Sequence, residues 1–376
     1  MSGTPIGESQ SALEDCLARG CAPEEDIALT LAHAENLFIA GDYKDGEEVL
    51  NDSLGRTRKF KSAIPVPLSD LHRARSRFAQ HLGEPRDYRL AALDSRDVLK
   101  DAFGEDDRRV LIADIEVGDS RAKLGFPADA RRIYRDVEEE ALELGHTRVA
   151  SFARLRLAML AQAKLVDRPG SQTALADYEA ALDRLIEEPL PESDDFIMVA
   201  RVLKARAERE RGEKGATDTL IETFAAMGGT EKPVLLYNEP LKAFDPGGFP
   251  IIREFGLLFS NEIERRTTPV LNNARFIDVG FWIRPNGEVE DIELLRAQGT
   301  DDWHGPVIQS IASRRYAPLN VDEPSPGVFH VERYTYTSNF AAASTGTRIR
   351  LREPGYRIQR LDLTPENTEN LITTEG

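Results

Sequence analysis

Two patterns of apolar and polar positions divide the chain. From about residue 27 to residue 227, apolar residues recur three and four apart, the spacing of one buried helix face. The helical runs come in pairs about a turn. "FIAGDYKDGEEVL" turns at Gly41, "FAQHLGEPRDYRLAAL" at Gly83, "RAKLGFPADARRIY" at Gly125 and "AERERGEKGATDTLIETF" at Gly212. Val166 stands at the matching place in "AQAKLVDRPGSQTALADYEAAL". Successive marks fall about 42 residues apart, slightly more at the last step, which predicts helix–turn–helix units built on one plan.

From about residue 228 the helical period stops. "GGTEKPVLLYNEPLKAFDPGGFP" is rich in Gly and Pro, so 228–275 reads as a linker and connecting segment with a short strand at "PVLLY". In "FIDVGFWIRPNGEVEDIELLRAQ" the period becomes two. Ile277, Val279, Phe281 and Ile283 share one face and Trp282 takes the other. Pro285-Asn286-Gly287 is hairpin-turn chemistry. Val289 and Ile292 are three apart, which predicts a bulge near Glu290 and Asp291. "DDWHGPVIQSIASRRYAP" predicts a helix with Trp303, Val307, Ile308 and Ile311 on one stripe. Asp301 and Asp302 would complement its positive end, and Arg314 and Arg315 its negative end. A last strand is expected over 327–337. Beyond it, the 341–376 tail carries "TRIRLREPGYRIQRLDLT", which alternates about Pro354-Gly355 like a further hairpin, and then a terminus that reads as disordered.

The third helical unit places Gly118, Gly125, Ala130 and Tyr134 at small, turn, small and aromatic positions, and the first keeps Ala34, Gly41, Tyr43, Gly46 and Leu50. This resembles the tetratricopeptide repeat, in the longer variety of kinesin light chains, over residues 27–227. The resemblance implies an all-α solenoid with a concave face made by the first helix of each pair. In that register Arg73, Arg77, Gln80, Asp119 and Lys123 point into the groove. Two readings stand: a row of cations that holds an acidic peptide, or a solvated helix face, since the arginines sit among many acids.

The order strand, turn, strand, helix, strand over 276–340, with "PNGEV", "DIELL" and "RRYAP", resembles the C-terminal domain of TonB, the energy transducer of outer-membrane transport in Gram-negative bacteria. The expected fold class is therefore multidomain, an all-α tetratricopeptide-like solenoid followed by a small α+β module. The membrane helix and Pro-rich spacer of TonB are not found in this sequence, so only the binding half is implied. In that family the last strand offers its edge to a receptor peptide. Carried over, the edge comprises Val328, Phe329, His330, Val331, Glu332, Arg333, Tyr334, Thr335, Tyr336 and Thr337, which would bind a partner by strand addition. The alternative is an edge covered by the tail, which makes the module a structural cap or dimerisation element.

Composition narrows the function class. A formal net charge of -17 and a pI of about 5.0 argue against nucleic-acid and anionic-lipid partners. No stretch reaches the ~18 apolar residues of a membrane span. The start has no basic or apolar signal region, which leaves a cytoplasmic protein or a mature one whose signal has been removed. The cysteines, Cys16 and Cys21, stand either side of Gly20, with Pro23 just beyond. Either they are two unpaired thiols, or they form a disulfide worth roughly 2 kcal/mol that belongs to an oxidising compartment. They are too few ligands for a metal site. The six histidines are scattered. Ser120 and Lys123 match a serine-hydrolase SxxK spacing without its partner motifs. The expectation is a non-enzymatic periplasmic adaptor for a protein partner such as an outer-membrane receptor segment, with no catalytic residue, metal or cofactor.

Overall fold

A computed structural model describes residues 6–168, 170–213, 215–239, 275–299, 304–321, 324–342 and 350–364. Helix α1 (Ile6–Arg19) leads into five antiparallel helix pairs. These are α2 (Pro23–Ala40) with α3 (Tyr43–Thr57), α4 (Pro65–Leu82) with α5 (Pro85–Phe103), α6 (Arg108–Lys123) with α7 (Pro127–Glu143), α8 (Thr147–Asp167) with α9 (Gln172–Glu187), and α10 (Asp194–Glu210) with α11 (Gly215–Ala226). Proline opens α2, α4, α5 and α7, where its missing N–H costs nothing. Gly41, Gly83 and Gly125 turn the chain with φ of 92°, 72° and 79°. Cys16 and Cys21 are disulfide-bonded across the turn from α1 to α2, with their Cα atoms 5.1 Å apart.

Small residues set the helix spacing. A methyl group on Gly118 would lie 2.4 Å from the Tyr134 ring, and one on Gly46 would lie 2.2 Å from Phe78. Both distances are inside van der Waals contact, so the aromatic ring of one helix occupies the space where a side chain of the other is missing. Each pair packs on its neighbours. Leu111, Ile115, Tyr134, Val137 and Val149 form one such core, and Leu155, Tyr178, Leu182 and Leu203 the next.

The β module is a four-stranded antiparallel sheet in the order β3-β2-β5-β6, made of β2 (Arg275–Ile283), β3 (Val289–Gln298), β5 (Val328–Ala342) and β6 (Arg350–Asp362). Its β2–β3 hairpin closes at Arg284–Glu288, where the Gly287 N–H donates to the Arg284 carbonyl at 2.8 Å. The bulge falls where the spacing of Val289 and Ile292 puts it. Register shifts between Gly280 and Trp282, and Asp291 adopts φ 51°. Helix α12 (Gly305–Ala312) buries Val307 and Ile311 against Ile277, Val279, Phe281 and Ile283. The opposite face packs on the first repeats, where Phe276, Val331 and Leu363 join the core of α2, α3 and α4. Strand β1 (Leu235–Tyr237) lies in the segment read as a linker and pairs with β4 (Arg315–Tyr316). Trp303, Asp301, Asp302 and nearly all of the final "TPENTENLITTEG" lie outside the described residues.

Two expectations are corrected, and for the first the alternative already given, an edge covered by the tail, is the one found. Strand β5 is not an edge. It is paired with β2 from Val328 to Tyr336 and with β6 from Glu332 to Ala342. The Val331 carbonyl and N–H are taken by the Leu363 N–H and the Thr364 Oγ1 at 2.8 and 3.2 Å. Most of the proposed edge from Val328 to Thr337 therefore has its main chain already bonded on both sides. Second, Pro354-Gly355 does not turn a hairpin. β6 runs through it, and the extra residues are absorbed as a register shift where Ser338 faces Tyr356 and Asn339 faces Glu353. Arg314 follows the C-terminal end of α12, as expected, and is also part of a buried ion pair. It is 1% exposed and bonded to Glu332.

Candidate functional site

The first helices of the second, third and fourth pairs lie side by side, and equal positions of adjacent repeats meet. Arg73 and Glu116 are 43 residues apart in sequence and 3.0 Å apart in space, while Gln80 and Lys123, also 43 apart, are 3.2 Å apart. Between α4, α6 and α8 these residues line a cavity of about 300 Å³ with Arg77, Asp119, Phe152 and Arg156, and Tyr88 of α5 forms part of its wall. All five residues assigned to the groove from the repeat register, Arg73, Arg77, Gln80, Asp119 and Lys123, line this one cavity. Arg156, Glu116 and Phe152 were not assigned. The same register carried through the third unit and into the fourth would have reached them.

The charges are braced rather than loose. Arg73 also donates to Asp70 at 2.7 Å. Arg156 sits 2.9 Å from Asp119 and over the Phe152 ring. Asp119 also accepts from the Tyr134 hydroxyl at 2.7 Å, so the aromatic of the repeat core orients a groove carboxylate. Burial, the Asp119 charge and this bond push the Tyr134 phenol far above its usual range. Burial holds the Arg77 guanidinium below its usual value, opposed by Glu116, and raises the Asp70 carboxyl against the pull of Arg73. The lining carries four cations, Arg73, Arg77, Lys123 and Arg156, against Glu116 and Asp119. That excess of donors favours a carboxylate-bearing guest. Ser76 spends its hydroxyl on the Tyr88 carbonyl at 3.3 Å.

The residues assigned to strand addition are distributed over two buried faces. Phe329, Val331 and Arg333 face the helical repeats, where Thr335 also approaches the Tyr43 hydroxyl. Tyr334 and Tyr336 belong to the core under α12. There Arg314 binds Glu332 in two parallel bonds of 2.9 Å, and also meets the Tyr316 and Tyr334 hydroxyls. His330 lies 3.4 Å from Glu332 and hydrogen-bonds Thr364. Val328 registers with Ile283, and Thr337 with Arg357. Among the described residues the outer strands of the sheet are β3 and β6, and β3 exposes Leu294 and Leu295, each 42% accessible.

Neither a protein-family model nor a curated protein matches the chain. Among solved structures, the chain is similar to BtubC (BKLC) from P. vanneervenii, with 12% identity, a TM-score of 0.46, and coverage of 64% of this chain and 95% of that one. Among the described residues, no helix is long and apolar enough to cross a membrane.

Proposed function

We propose that this protein is a non-enzymatic scaffold whose groove along α4, α6 and α8 holds an acidic segment of a protein partner. In this reading the β module is a structural element packed on the helical pairs. The observation that carries the proposal is the cavity lining: four cations against two acids, in a chain of net charge -17. The finer identities belong to the same reading, a tetratricopeptide array of the kinesin-light-chain variety and a module of the TonB C-terminal kind. The Cys16–Cys21 bond supports a periplasmic setting. Strand addition stands as a second reading only if it moves from β5 to β3, which among the described residues is an outer strand with two exposed leucines.

Fluorescence anisotropy with a set of labelled acidic and neutral peptides tests the groove. Acidic peptides bind, more weakly as salt rises, and the Arg77→Ala/Arg156→Ala variant loses about tenfold or more in affinity. Equal binding by the parent and this variant would remove the groove from the account.

A further inference from the structure

The β module is attached to both ends of the helical array. At the first end, β2 and β5 sit on α2: Arg333 donates to the Phe38 carbonyl at 2.6 Å, and the Phe276 ring lies over Gly41, where a methyl group would be 2.2 Å away. At the far end, Arg206 of α10 donates to the carbonyls of Leu235 and Leu236 in β1, the second at 3.0 Å. Val202 of α10 and Phe224 of α11 pack on Leu236 and Ala317. The two attachments belong to one body. Strand β1 is paired to β4, the Tyr316 N–H of β4 donates to the Gly287 carbonyl at 2.8 Å, and the Tyr316 ring lies in the core of the main sheet. A continuous path of packed contacts therefore runs from α2 through the repeats to α11, into β1 and β4, across the sheet, and back to α2.

We propose that the β module is a clasp that closes the helical array into a ring and fixes its curvature. In an open solenoid each repeat touches only its neighbours, so small rotations between repeats add up along the array and its ends move freely. A body bonded to both ends removes that freedom, because a loop whose ends are joined has lost its end-to-end entropy once and for all. The groove on α4, α6 and α8 then keeps one width. On the reading given above for that groove, its guest is an extended acidic peptide rather than a folded domain that needs the array to open.

The test is a distance between the ends. Nitroxide labels are placed in the full chain at Glu48→Cys on α3 and Glu222→Cys on α11, both exposed, while the bonded Cys16 and Cys21 do not react. Pulsed electron–electron double resonance then reads the separation. The parent gives one narrow distribution. Arg333→Met cuts the ring at one end, Arg206→Ala at the other, and each alone shifts the distribution to longer and broader distances. The double variant moves it no further, since a ring cut once is already open. Far-UV circular dichroism confirms that each variant keeps its helices, and if Arg333→Met does not fold, Arg206→Ala alone decides. A distribution that stays narrow in a folded Arg206→Ala variant overturns the clasp, as does a double variant whose shift is the sum of the single ones. This outcome is independent of peptide binding, so failure of the groove assignment leaves it untouched.

Discussion

The Arg333 guanidinium of the sheet caps helix α2, donating to the carbonyl of Phe38 at 2.6 Å while gripping Asp278 at 2.7 and 2.9 Å. The last carbonyls of a helix lack partners within it and carry its negative end, so a buried cation there meets two needs at once. Arg296 joins from β3, bonding the Ile39 carbonyl and Asp278. The Arg333 plane also lies 3.9 Å from the Phe276 ring centroid. Burial alone would lower the Arg333 pKa, but its bonds to Asp278 and the Tyr43 hydroxyl raise it.

Removing this cation leaves Asp278, 1% exposed, with Arg296 as its remaining cation and takes a charged donor from the Phe38 carbonyl. Loss of such buried charge-assisted bonds costs about 2–3 kcal/mol. Arg333→Met is expected to lower the urea midpoint accordingly and to expose α2 amides near residue 38 to hydrogen exchange. Arg333→Lys does not rescue it, since a single ammonium cannot reach Asp278 and Phe38 with a forked geometry. Stability within about 0.5 kcal/mol of the parent would show that the contact does not hold the module to the repeats.

The Arg314–Glu332 pair predicts an acid transition. Burial raises the Glu332 carboxyl, but Arg314, His330 and Arg360 outweigh it and hold the group well below the usual carboxylate range. A lowered folded pKa gives stability that is complete above the unfolded value near 4.5 and is lost as pH falls toward the folded one. Glu332→Gln should cost about 3 kcal/mol at pH 7 and flatten stability below pH 4.5. Arg314→Met/Glu332→Leu should recover part of that loss. Denaturant titrations between pH 3 and 8 measure both effects.

Glu47 has the opposite sign. Burial and the neighbouring Glu84 raise its carboxyl from 4.5 to about 7, against the pull of Arg75. Its contribution is therefore complete below pH 4.5 and declines as pH rises to about 7, by at most about 1.4 kcal/mol per pH unit. Glu47→Gln should remove this decline and leave the protein more stable than the parent at pH 7.5. Thermal unfolding at pH 5 and pH 7.5 reads the difference, and an unchanged slope contradicts it.

The helical pairs were legible because their determinants are local. Gly41, Gly83 and Gly125 turn the chain at the marks of the period, and Gly118 accepts Tyr134 as its spacing implies. The Asp291 bulge was legible for the same reason, since Val289 and Ile292 cannot share a face without it. The sheet's outer order was legible only as one of two readings, the edge covered by the tail. Pro354-Gly355 carries turn chemistry, and only pairing with a distant, unusually long β5 turns it into a bulge. Nor do Arg333 and Arg314 announce themselves, because charges beside other charges read as exposed until the faces of the sheet are known to be covered. The groove residues fell together because a repeat maps equal positions onto neighbouring helices, while the junction between module and repeats joins residues some 290 positions apart.

The most direct measurement is hydrogen exchange on the full chain with and without an acidic peptide selected by anisotropy. The account predicts new protection in α4 and α6, over residues 68–82 and 110–123, and none at 328–337, whose main chain is largely occupied. Protection confined to the sheet, at β3 or at β5, with α4 and α6 unchanged, would contradict it.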